Sequence, residues 1–257
     1  MKTLFTTIAL ALLCLSFIKT KRFIPPGTVQ ISNTLFADET EVTNSGWQEY
    51  EFSIKKMFGA NSKEHLATLP DTLCWRDKLS YNEPYVHYYY RHPAYKDFPI
   101  VGISYEQAVA FCKWRTEKVK TYLSMKKDYK NQSFDYRLPT KAEWEFFGES
   151  SDLFLDNDGK DAKGNARSNF ICLQSNGDGM SPNGRYADVT APVHSYKPNA
   201  LKIYNAVGNV AEMISEKGIC KGGGWRNMPE DCRIRKDMEY TKPASWIGFR
   251  CVCIVGQ

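Results

Sequence analysis

Apolar side chains recur at helical intervals between residues 44 and 58. Intervals of three and four residues bring side chains to one face of a helix, and Gly59 follows the run as a stop signal. We therefore predict a helix from Asn44 to Phe58. The side chains predicted to face the core are Trp47, Tyr50, Ile54, Met57 and Phe58.

Capping boxes predict two further helices. In a capping box, a Ser or Thr side chain and a Glu or Gln three residues later satisfy backbone amides at the start of a helix. Ser104 and Gln107 have this spacing before one amphipathic run, and Thr140 and Glu143 have it before another. The face of the first run that we expect to point inward comprises Ala108, Phe111, Cys112, Arg115, Val119 and Tyr122.

The rest of the chain has little regular periodicity. Residues 150–190 are rich in Asp, Asn, Gly and Ser, which predicts either an ordered functional loop or an insertion. Near the C-terminus, "GFRCVCIV" at residues 248–255 has the short apolar pattern of a strand. No internal repeat or break in composition divides the sequence. We expect a single α+β domain with much irregular backbone.

The first residues have the pattern of an export signal. Lys2 precedes an apolar stretch over residues 8–18, and basic residues follow at positions 19, 21 and 22. This stretch is too short to span a bilayer, so we predict a signal peptide at residues 1–20 and a mature domain at residues 21–257. Lipidation of Cys14 is an alternative, although a lipidated cysteine normally follows a small residue and Cys14 follows a leucine.

Charge and hydropathy argue against two classes of partner. The formal net charge of +5 is spread along the chain without basic blocks, unlike the charge of a nucleic-acid binder. After the signal, no apolar run is long enough for a membrane helix. We expect no nucleic-acid partner, and contact with a membrane only in the alternative that Cys14 carries a lipid anchor.

The cysteines indicate disulfide pairing with at least one thiol left over. Of the eight cysteines, Cys14 lies in the predicted signal, and the remaining seven cannot all pair with one another. They do not form two CxxC pairs, so a zinc site is not expected. The pairing of four of them is left open: Cys74, Cys172, Cys220 and Cys253.

The segment "YNAVGNVAEM" carries candidate ligands for a hard cation. Asn205 and Glu212 are oxygen donors seven residues apart, and Gly208 lets the backbone turn so that carbonyls between them face one point. On its own, the pattern favours a plain turn followed by a surface glutamate over a metal site.

Six motifs resemble those of the formylglycine-generating enzyme family, the sulfatase-modifying-factor domain, in order and spacing. They are "VGISYEQAVAFCKW", "YRLPTKAEWEF", "TAPVHSYKPN", "IYNAVGNVAEM", "KGGGW" and "GFRC". The resemblance covers nearly all of the chain from Pro25. It implies one compact α+β domain with sparse regular structure, related to the C-type-lectin-like fold. The acids of "DETEVTN", Asp38, Glu39 and Glu41, are then scaffold residues, for which we expect solvated charge.

The resemblance also implies two structural calcium ions. The ligands implied for the first are the side chains of Asn205 and Glu212 and the carbonyls of Gly208 and Val210. Those implied for the second are Asn169, the Phe170 carbonyl and, after an insertion, Asp178 and Met180. A disulfide is implied between Cys112 and Cys251. The family's other common disulfide maps to Gly148 and Asp237, so both of its halves are missing together.

The departures from the family pattern include the loop "KGGGWRNMPEDC". Active members hold copper(I) with two thiolates five residues apart, and this chain has Cys232 at the second position but Asn227 at the first. The serine of the active loop is Gly224, and two tryptophans are replaced by Ala211 and Met213. We therefore expect no copper and no catalytic residue. Cys232 is the catalytic candidate only in the alternative that the protein is an enzyme.

Three functions compete. The stretch "SYNEPYVHYYYRHPAYKDFPIVGISYEQAVAFCKWRT" is similar to gliding-motility and type IX secretion lipoproteins of Bacteroidota, which use this fold as a structural component at the outer membrane. This favours a non-catalytic scaffold in the periplasm or at the outer membrane that binds other cell-envelope proteins. The alternative is a formylglycine-generating-type oxidase acting on a peptide cysteine, with Cys220 as supporting thiol. A carbohydrate-binding module is the third, on fold analogy alone. The oligomeric state is left open.

Overall fold

The computed structural model describes residues 23–78, 81–126, 132–149, 151, 159–170 and 189–256. The predicted signal peptide with Cys14 lies outside these residues, as do Cys172, Asp178 and Met180. Within the described residues, no helix is long and apolar enough to cross a membrane.

The described residues form a mixed α+β fold with two four-stranded sheets. The helices are α1 (Asn44–Phe58), α2 (Lys63–Leu66), α3 (Glu83–Tyr88), α4 (Tyr105–Ser124) and α5 (Lys141–Gly148). The strands are β1 (Thr28–Gln30), β2 (Leu35–Asp38), β3 (Phe134–Arg137), β4 (Ala211–Met213), β5 (Ile219–Lys221), β6 (Met238–Glu239), β7 (Ile247–Gly248) and β8 (Val252–Val255). The first sheet has the order β1-β2-β8-β3 and is antiparallel; the second has the order β6-β5-β4-β7, with β4 and β7 parallel.

The three predicted helices are confirmed. α1 spans the predicted residues and begins after Thr43, whose side chain accepts a hydrogen bond from Gly46 N. Both predicted capping boxes form, with Ser104 at the start of α4 and Thr140 at the start of α5. These starts are local, because each box satisfies its own backbone amides within one turn.

Part of each predicted inward face is wrong. Met57 and Phe58 are 71% and 50% exposed, because α1 buries its first two turns and its last turn projects into solvent. In α4, Tyr122 is 55% exposed. The buried row of α4 runs instead through Thr116 and Leu123, seven residues apart, which is the spacing of side chains on one helical face.

The chain around β8 separates two hydrophobic clusters, because successive residues of a strand point to opposite faces. Cys251 and Cys253 belong to the first cluster, to which α1 and α4 contribute. Val252 belongs to the second cluster, to which α5 contributes. At the centre of the first cluster, the rings of Trp47 and Phe111 stack with centroids 5.4 Å apart and planes at 7°.

The connection of residues 189–210 contains no helix or strand and folds around asparagine side chains. Asn199 Oδ1 accepts a hydrogen bond from Ile203 N, and Asn209 Oδ1 accepts one from Ala191 N. Asn205 and Asn209 have positive φ angles of 50° and 63°, which asparagine tolerates better than most residues. This connection brings both side chains into the protein interior, next to the residues that follow β2.

Candidate functional site

Cys232, the candidate catalytic thiol, lies inside the second hydrophobic cluster. It ends a 3-10 turn at Pro229–Cys232 and is fully buried. Gly223 packs so closely against it that a Cβ on Gly223 would lie 2.5 Å from Cys232 Sγ. Burial, with a smaller contribution from Asp231, raises the pKa of the Cys232 thiol to about 12. Without a metal, it is therefore a protonated thiol in apolar surroundings at neutral pH.

Asn227, at the position of the other copper ligand, closes a turn of the same loop. Its Oδ1 accepts a hydrogen bond from Gly224 N, and its own N–H donates to the Gly224 carbonyl, both at 2.9 Å. A Cβ on Gly224 would lie 2.9 Å from the Trp246 carbonyl and 3.2 Å from Ala211 N. A serine therefore does not fit at Gly224 without movement of the backbone around it.

Cys220, the supporting thiol of the enzyme alternative, is also buried and bonded. It lies in β5, opposite Met213 of β4, and its thiol donates to the Met238 carbonyl at 3.5 Å. Burial raises the pKa of Cys220 to about 12, and the charge of Lys221 lowers it only in part. Without a metal, both Cys220 and Cys232 are therefore buried, protonated thiols, and the expected absence of copper stays a prediction.

Cys112 and Cys251 lie side by side in the first cluster. Their Sγ atoms are 3.5 Å apart, and both residues are buried. A disulfide has its sulfur atoms about 2.05 Å apart, so both are free thiols in this structure, as neighbours. The disulfide implied by the resemblance stays a prediction.

The two positions of the family's second disulfide are Asp237, which forms ion pairs, and Gly148, which is crowded. Asp237 forms ion pairs with Lys141 of α5 and with Lys221 of β5, whose side chain is fully buried. At the other position, a Cβ on Gly148 would lie 2.9 Å from Ile234 Cδ1, so a larger side chain is crowded there. α5 and β5 are therefore joined by charge at this point.

Glu212, a predicted calcium ligand, forms a buried ion pair with Arg250. The Arg250 Nε and Nη2 atoms donate to the two carboxylate oxygens at 2.7 and 2.5 Å. Trp144 Nε1 donates to the same carboxylate at 2.8 Å. Arg250 also donates to the carbonyls of Asp38 and Tyr204 at 3.0 and 2.7 Å. Its guanidinium thus joins the end of β2, the 189–210 connection and β4. Glu212 is not the surface residue that the motif alone favoured.

Asn205, the other predicted side-chain ligand, faces a second buried carboxylate. Its Nδ2 donates to Glu41 Oε2 at 3.1 Å and to the Val193 carbonyl at 3.0 Å, whereas its Oδ1 is buried without a hydrogen-bond partner. Asn209 Nδ2 donates to Glu41 Oε1 at 2.8 Å. Burial raises the pKa of Glu41 to about 7, and the charge of Arg250 opposes that rise in part.

Asn205 presents one buried oxygen of the kind that binds calcium, whereas the Glu212 carboxylate is already paired with Arg250. Calcium is held by amide, carbonyl and carboxylate oxygens, and the buried Asn205 Oδ1 is such an oxygen with no partner. Gly208 has a φ of 78°, which the turn requires. No three His, Cys, Asp or Glu side chains of the described residues form a metal cluster, so amide and carbonyl ligands are required. The set of Asn205, Gly208, Val210 and Glu212 stays a prediction.

The second predicted calcium set is described only in part. Asn169 is buried, and its Oδ1 also lacks a hydrogen-bond partner. Phe170 packs its ring in the second cluster, while Asp178 and Met180 lie outside the described residues. The Asn169 carbonyl accepts a hydrogen bond from Asn209 N at 2.7 Å. The two predicted sets therefore lie on adjoining backbone segments.

Comparison with known proteins gives the family. Residues 14–254 match the profile of the Sulfatase-modifying factor enzyme 1-like domain. The chain belongs to this family. The formylglycine-generating enzyme of Bos taurus is 30% identical over 189 residues, which are 60% of this chain and 44% of that protein. The enzyme of Mus musculus is 29% identical over 204 residues, which are 63% and 48%. The matches to this sulfatase-modifying factor domain thus span less than half the length of these relatives.

This sulfatase-modifying factor domain is also similar to solved structures. CarF is 16% identical, with 90% of this chain and 96% of that chain covered and a TM-score of 0.51. Treponema denticola variable protein 1 is 18% identical, with 89% and 91% covered and a TM-score of 0.49. The family match and the likeness to CarF confirm the predicted fold class.

The sequence analysis did not predict that acidic side chains of this family member are buried in its core. The expectation of solvated charge at Asp38 and Glu41 is wrong, because these residues are only 5% and 1% exposed. Asp38 is held by Arg115 at 2.6 Å, and Glu41 by the amides described above. One signal was available: Arg250 stands in the apolar strand motif "GFRCVCIV", and a buried arginine needs carboxylate or carbonyl partners.

Proposed function

We propose that this family member is a non-catalytic scaffold of the cell envelope that binds other envelope proteins. One observation carries the proposal: Cys232 is buried against Gly223 in an apolar cluster. Its thiol has a pKa of about 12, and the position of its partner thiol is occupied by Asn227. Copper(I) prefers soft thiolate ligands, and an amide oxygen is a poor substitute. Copper chemistry therefore has no part in the proposed function.

A turnover assay tests this proposal against the alternative of a formylglycine-generating-type oxidase, which family membership alone favours. The purified protein is loaded with copper(I) and given a sulfatase-type peptide that contains a cysteine. Mass spectrometry is expected to detect no conversion of that cysteine, while an active relative converts it under the same conditions. Conversion that disappears in Cys232→Ser would establish the oxidase instead.

The proposed location and partners follow from the N-terminal signal and from the resemblance to gliding-motility and type IX secretion lipoproteins. The protein is exported to the periplasm or outer membrane, and lipidation at Cys14 would be its membrane contact. Tagged protein is expected to co-purify with envelope proteins, and deletion of the gene is expected to impair gliding or secretion. A deletion strain with normal gliding and normal secretion would contradict this assignment.

The proposal includes a structural calcium ion at Asn205, Gly208, Val210 and Glu212, and a second ion at Asn169 and Phe170. The two unpartnered buried amide oxygens, Asn205 Oδ1 and Asn169 Oδ1, support it. An ion that binds only the native state stabilises that state by mass action. It would hold irregular backbone in place where no helix or strand does so.

A further inference from the structure

The end of α1 and the short helix α2 form an exposed projection, which we call the α1–α2 tip (residues 55–66). All of residues 55–61 are exposed. Met57 and Phe58 end α1 in solvent, and Leu66 of α2 is 54% exposed. Single exposed apolar side chains are normal, but several large ones in one short segment indicate a binding surface.

The backbone of the α1–α2 tip is held in place from inside. Ser62 caps α2 by accepting a hydrogen bond from His65 N. The buried His65 ring lies with Nδ1 2.6 Å from the Ala60 carbonyl and Nε2 3.1 Å from Glu51 Oε1 of α1. His65 therefore ties the turn back to α1. The exposed side chains are presented on ordered backbone, so binding requires little further ordering of the chain.

The α1–α2 tip carries a net positive charge. It contains Lys55, Lys56 and Lys63 but only one acid, Glu64, and three positive charges minus one negative charge give +2. None of the three lysines belongs to an ion pair within the part of the chain that the structure describes. Unpaired lysines next to exposed apolar side chains complement anionic groups above an apolar layer, which is the chemistry of an anionic lipid bilayer.

The directions of the apolar side chains fit entry of the helix end into a bilayer. Met57 and Phe58 are adjacent, so they point about 100° apart around α1 and do not share one helical face. A helix that binds in a groove of a partner protein uses anchors along one face, three or four residues apart. Side chains on different sides of a helix end are all immersed when that end enters an apolar layer. Lys55 and Lys56, which precede them, can extend their charged ends to the lipid headgroups.

The chain upstream of the domain is long enough to reach the same bilayer. Phe23 lines one groove together with Gly46 and Glu49 of α1. Glu49 is nine residues before Phe58, or about 14 Å along the helix. Cys14 is nine residues before Phe23, and nine extended residues span at most about 30 Å. In the lipidated form proposed above, the acyl chain and the α1–α2 tip can therefore contact one membrane.

We propose that the α1–α2 tip docks the domain on an anionic phospholipid bilayer, with Met57 and Phe58 inserted and the three lysines at the headgroups. The inference rests on the proposed envelope location and adds to it an orientation, with the end of α1 toward the membrane. Turnover and co-purification test the proposed function without vesicles, so failure of the membrane contact is distinguishable from failure of that function.

Vesicle binding tests the membrane contact. The purified mature chain, residues 21–257, is sedimented with vesicles of phosphatidylglycerol and phosphatidylethanolamine, or of phosphatidylcholine alone. We expect binding to the anionic vesicles only. Met57→Ser with Phe58→Ser should weaken that binding by at least about tenfold, because two apolar side chains no longer enter the bilayer. Glutamine at all three tip lysines should weaken it about a hundredfold, since each lysine contributes roughly a fivefold gain near an anionic surface.

Matched controls change the same types of side chain elsewhere. Tyr122→Ser with Met125→Ser removes two exposed apolar side chains at the end of α4. Glutamine at the exposed residues Lys96, Lys197 and Lys242 removes three positive charges outside the α1–α2 tip. Both controls should keep the wild-type affinity within about twofold, because charges far from the bilayer are screened by salt.

A fluorophore in the α1–α2 tip reports insertion in a protein that still binds. Lipids with brominated acyl chains should quench the tryptophan fluorescence of Phe58→Trp more than that of the wild type. Absence of wild-type binding to anionic vesicles, undiminished binding by the tip variants, or equal quenching of the two proteins would each overturn the proposal. Absence of vesicle binding together with tip-dependent cross-linking to an envelope protein would assign the α1–α2 tip to a protein partner instead.

Discussion

A side chain at Gly223 would strike the thiol of Cys232, because a Cβ there would lie 2.5 Å from Sγ and 3.0 Å from Cys232 Cα. Gly223 also has a φ of 61°, a conformation that residues with a Cβ adopt at a cost. The backbone of Gly223 therefore packs directly against the Cys232 thiol in the second cluster.

Gly223→Ala is expected to lower the free energy of unfolding by about 2 to 4 kcal/mol, from overpacking together with backbone strain. Urea denaturation measures the loss. Gly27→Ala is the control, since Gly27 has a φ of 71° with nothing within 4 Å of its Cβ position. It should lose only about 1 kcal/mol, the cost of the backbone conformation. Equal losses in the two variants would mean that Cys232 is not tightly packed.

Removal of one partner of the Glu212–Arg250 pair should be severely destabilising. Arg250→Met leaves the Glu212 carboxylate buried without its counter-ion, and breaking a buried pair in this way costs about 3 to 5 kcal/mol. The double variant Arg250→Met with Glu212→Leu should be more stable than the sum of the single effects predicts. Chemical denaturation of the four proteins completes the cycle, and strict additivity would show that the pair is not coupled.

Calcium should raise the melting temperature of the wild type, because the ion binds only the folded chain. The stabilisation is about 2.7 kcal/mol when calcium is at one hundred times its dissociation constant. Asn205→Gly removes the ligand oxygen and keeps a residue that accepts the positive φ of 50°. It should abolish the calcium-dependent shift. Asn199→Gly, in the same connection, should melt lower but retain the shift; a retained shift in Asn205→Gly would place the ion elsewhere.

The thiols of Cys112 and Cys251 should be joined in the exported protein. Peptide mapping of non-reduced protein by mass spectrometry is expected to find this pair linked. The residues are 139 positions apart, and closing a loop of this length stabilises the fold by roughly 4 to 5 kcal/mol in chain-entropy models. Reductant should lower stability accordingly. A linkage of Cys112 to any other cysteine would contradict the family register.

Acid should weaken the fold through Glu51. Burial alone would raise the pKa of Glu51, but hydrogen bonds from Arg91, Tyr90 and His65 outweigh it and lower that pKa. A carboxyl with a lowered folded-state pKa contributes stability above its unfolded pKa, and this contribution disappears as pH falls below roughly 4 to 5. Glu51→Gln should be less stable at pH 7 and lose less stability between pH 5 and pH 3. Parallel pH profiles for both proteins would contradict this.

Structural features that form within one helical turn could be predicted from the sequence, whereas contacts between distant segments could not. The starts of α4 and α5 were predictable because Ser104 with Gln107, and Thr140 with Glu143, complete their hydrogen bonds locally. The burial of Glu41 depends on amides 164 and 168 residues away, at Asn205 and Asn209, in a connection without helix or strand. A hydrogen bond between segments so far apart leaves no periodic pattern in the sequence. The family motifs placed Asn205 near Glu212 but gave no reason to bring Glu41 to them.

The ion pairs of Asp237 with Lys141 and Lys221 join α5 and β5 without a covalent bond. Exposed charges are screened as ionic strength rises, whereas a disulfide is broken only by reduction or exchange. Of the two ion pairs, the one with Lys141 is open to such screening, because the Lys221 side chain is fully buried. Forming this junction therefore requires no thiol oxidation, and added salt is expected to weaken its exposed ion pair more than its buried one.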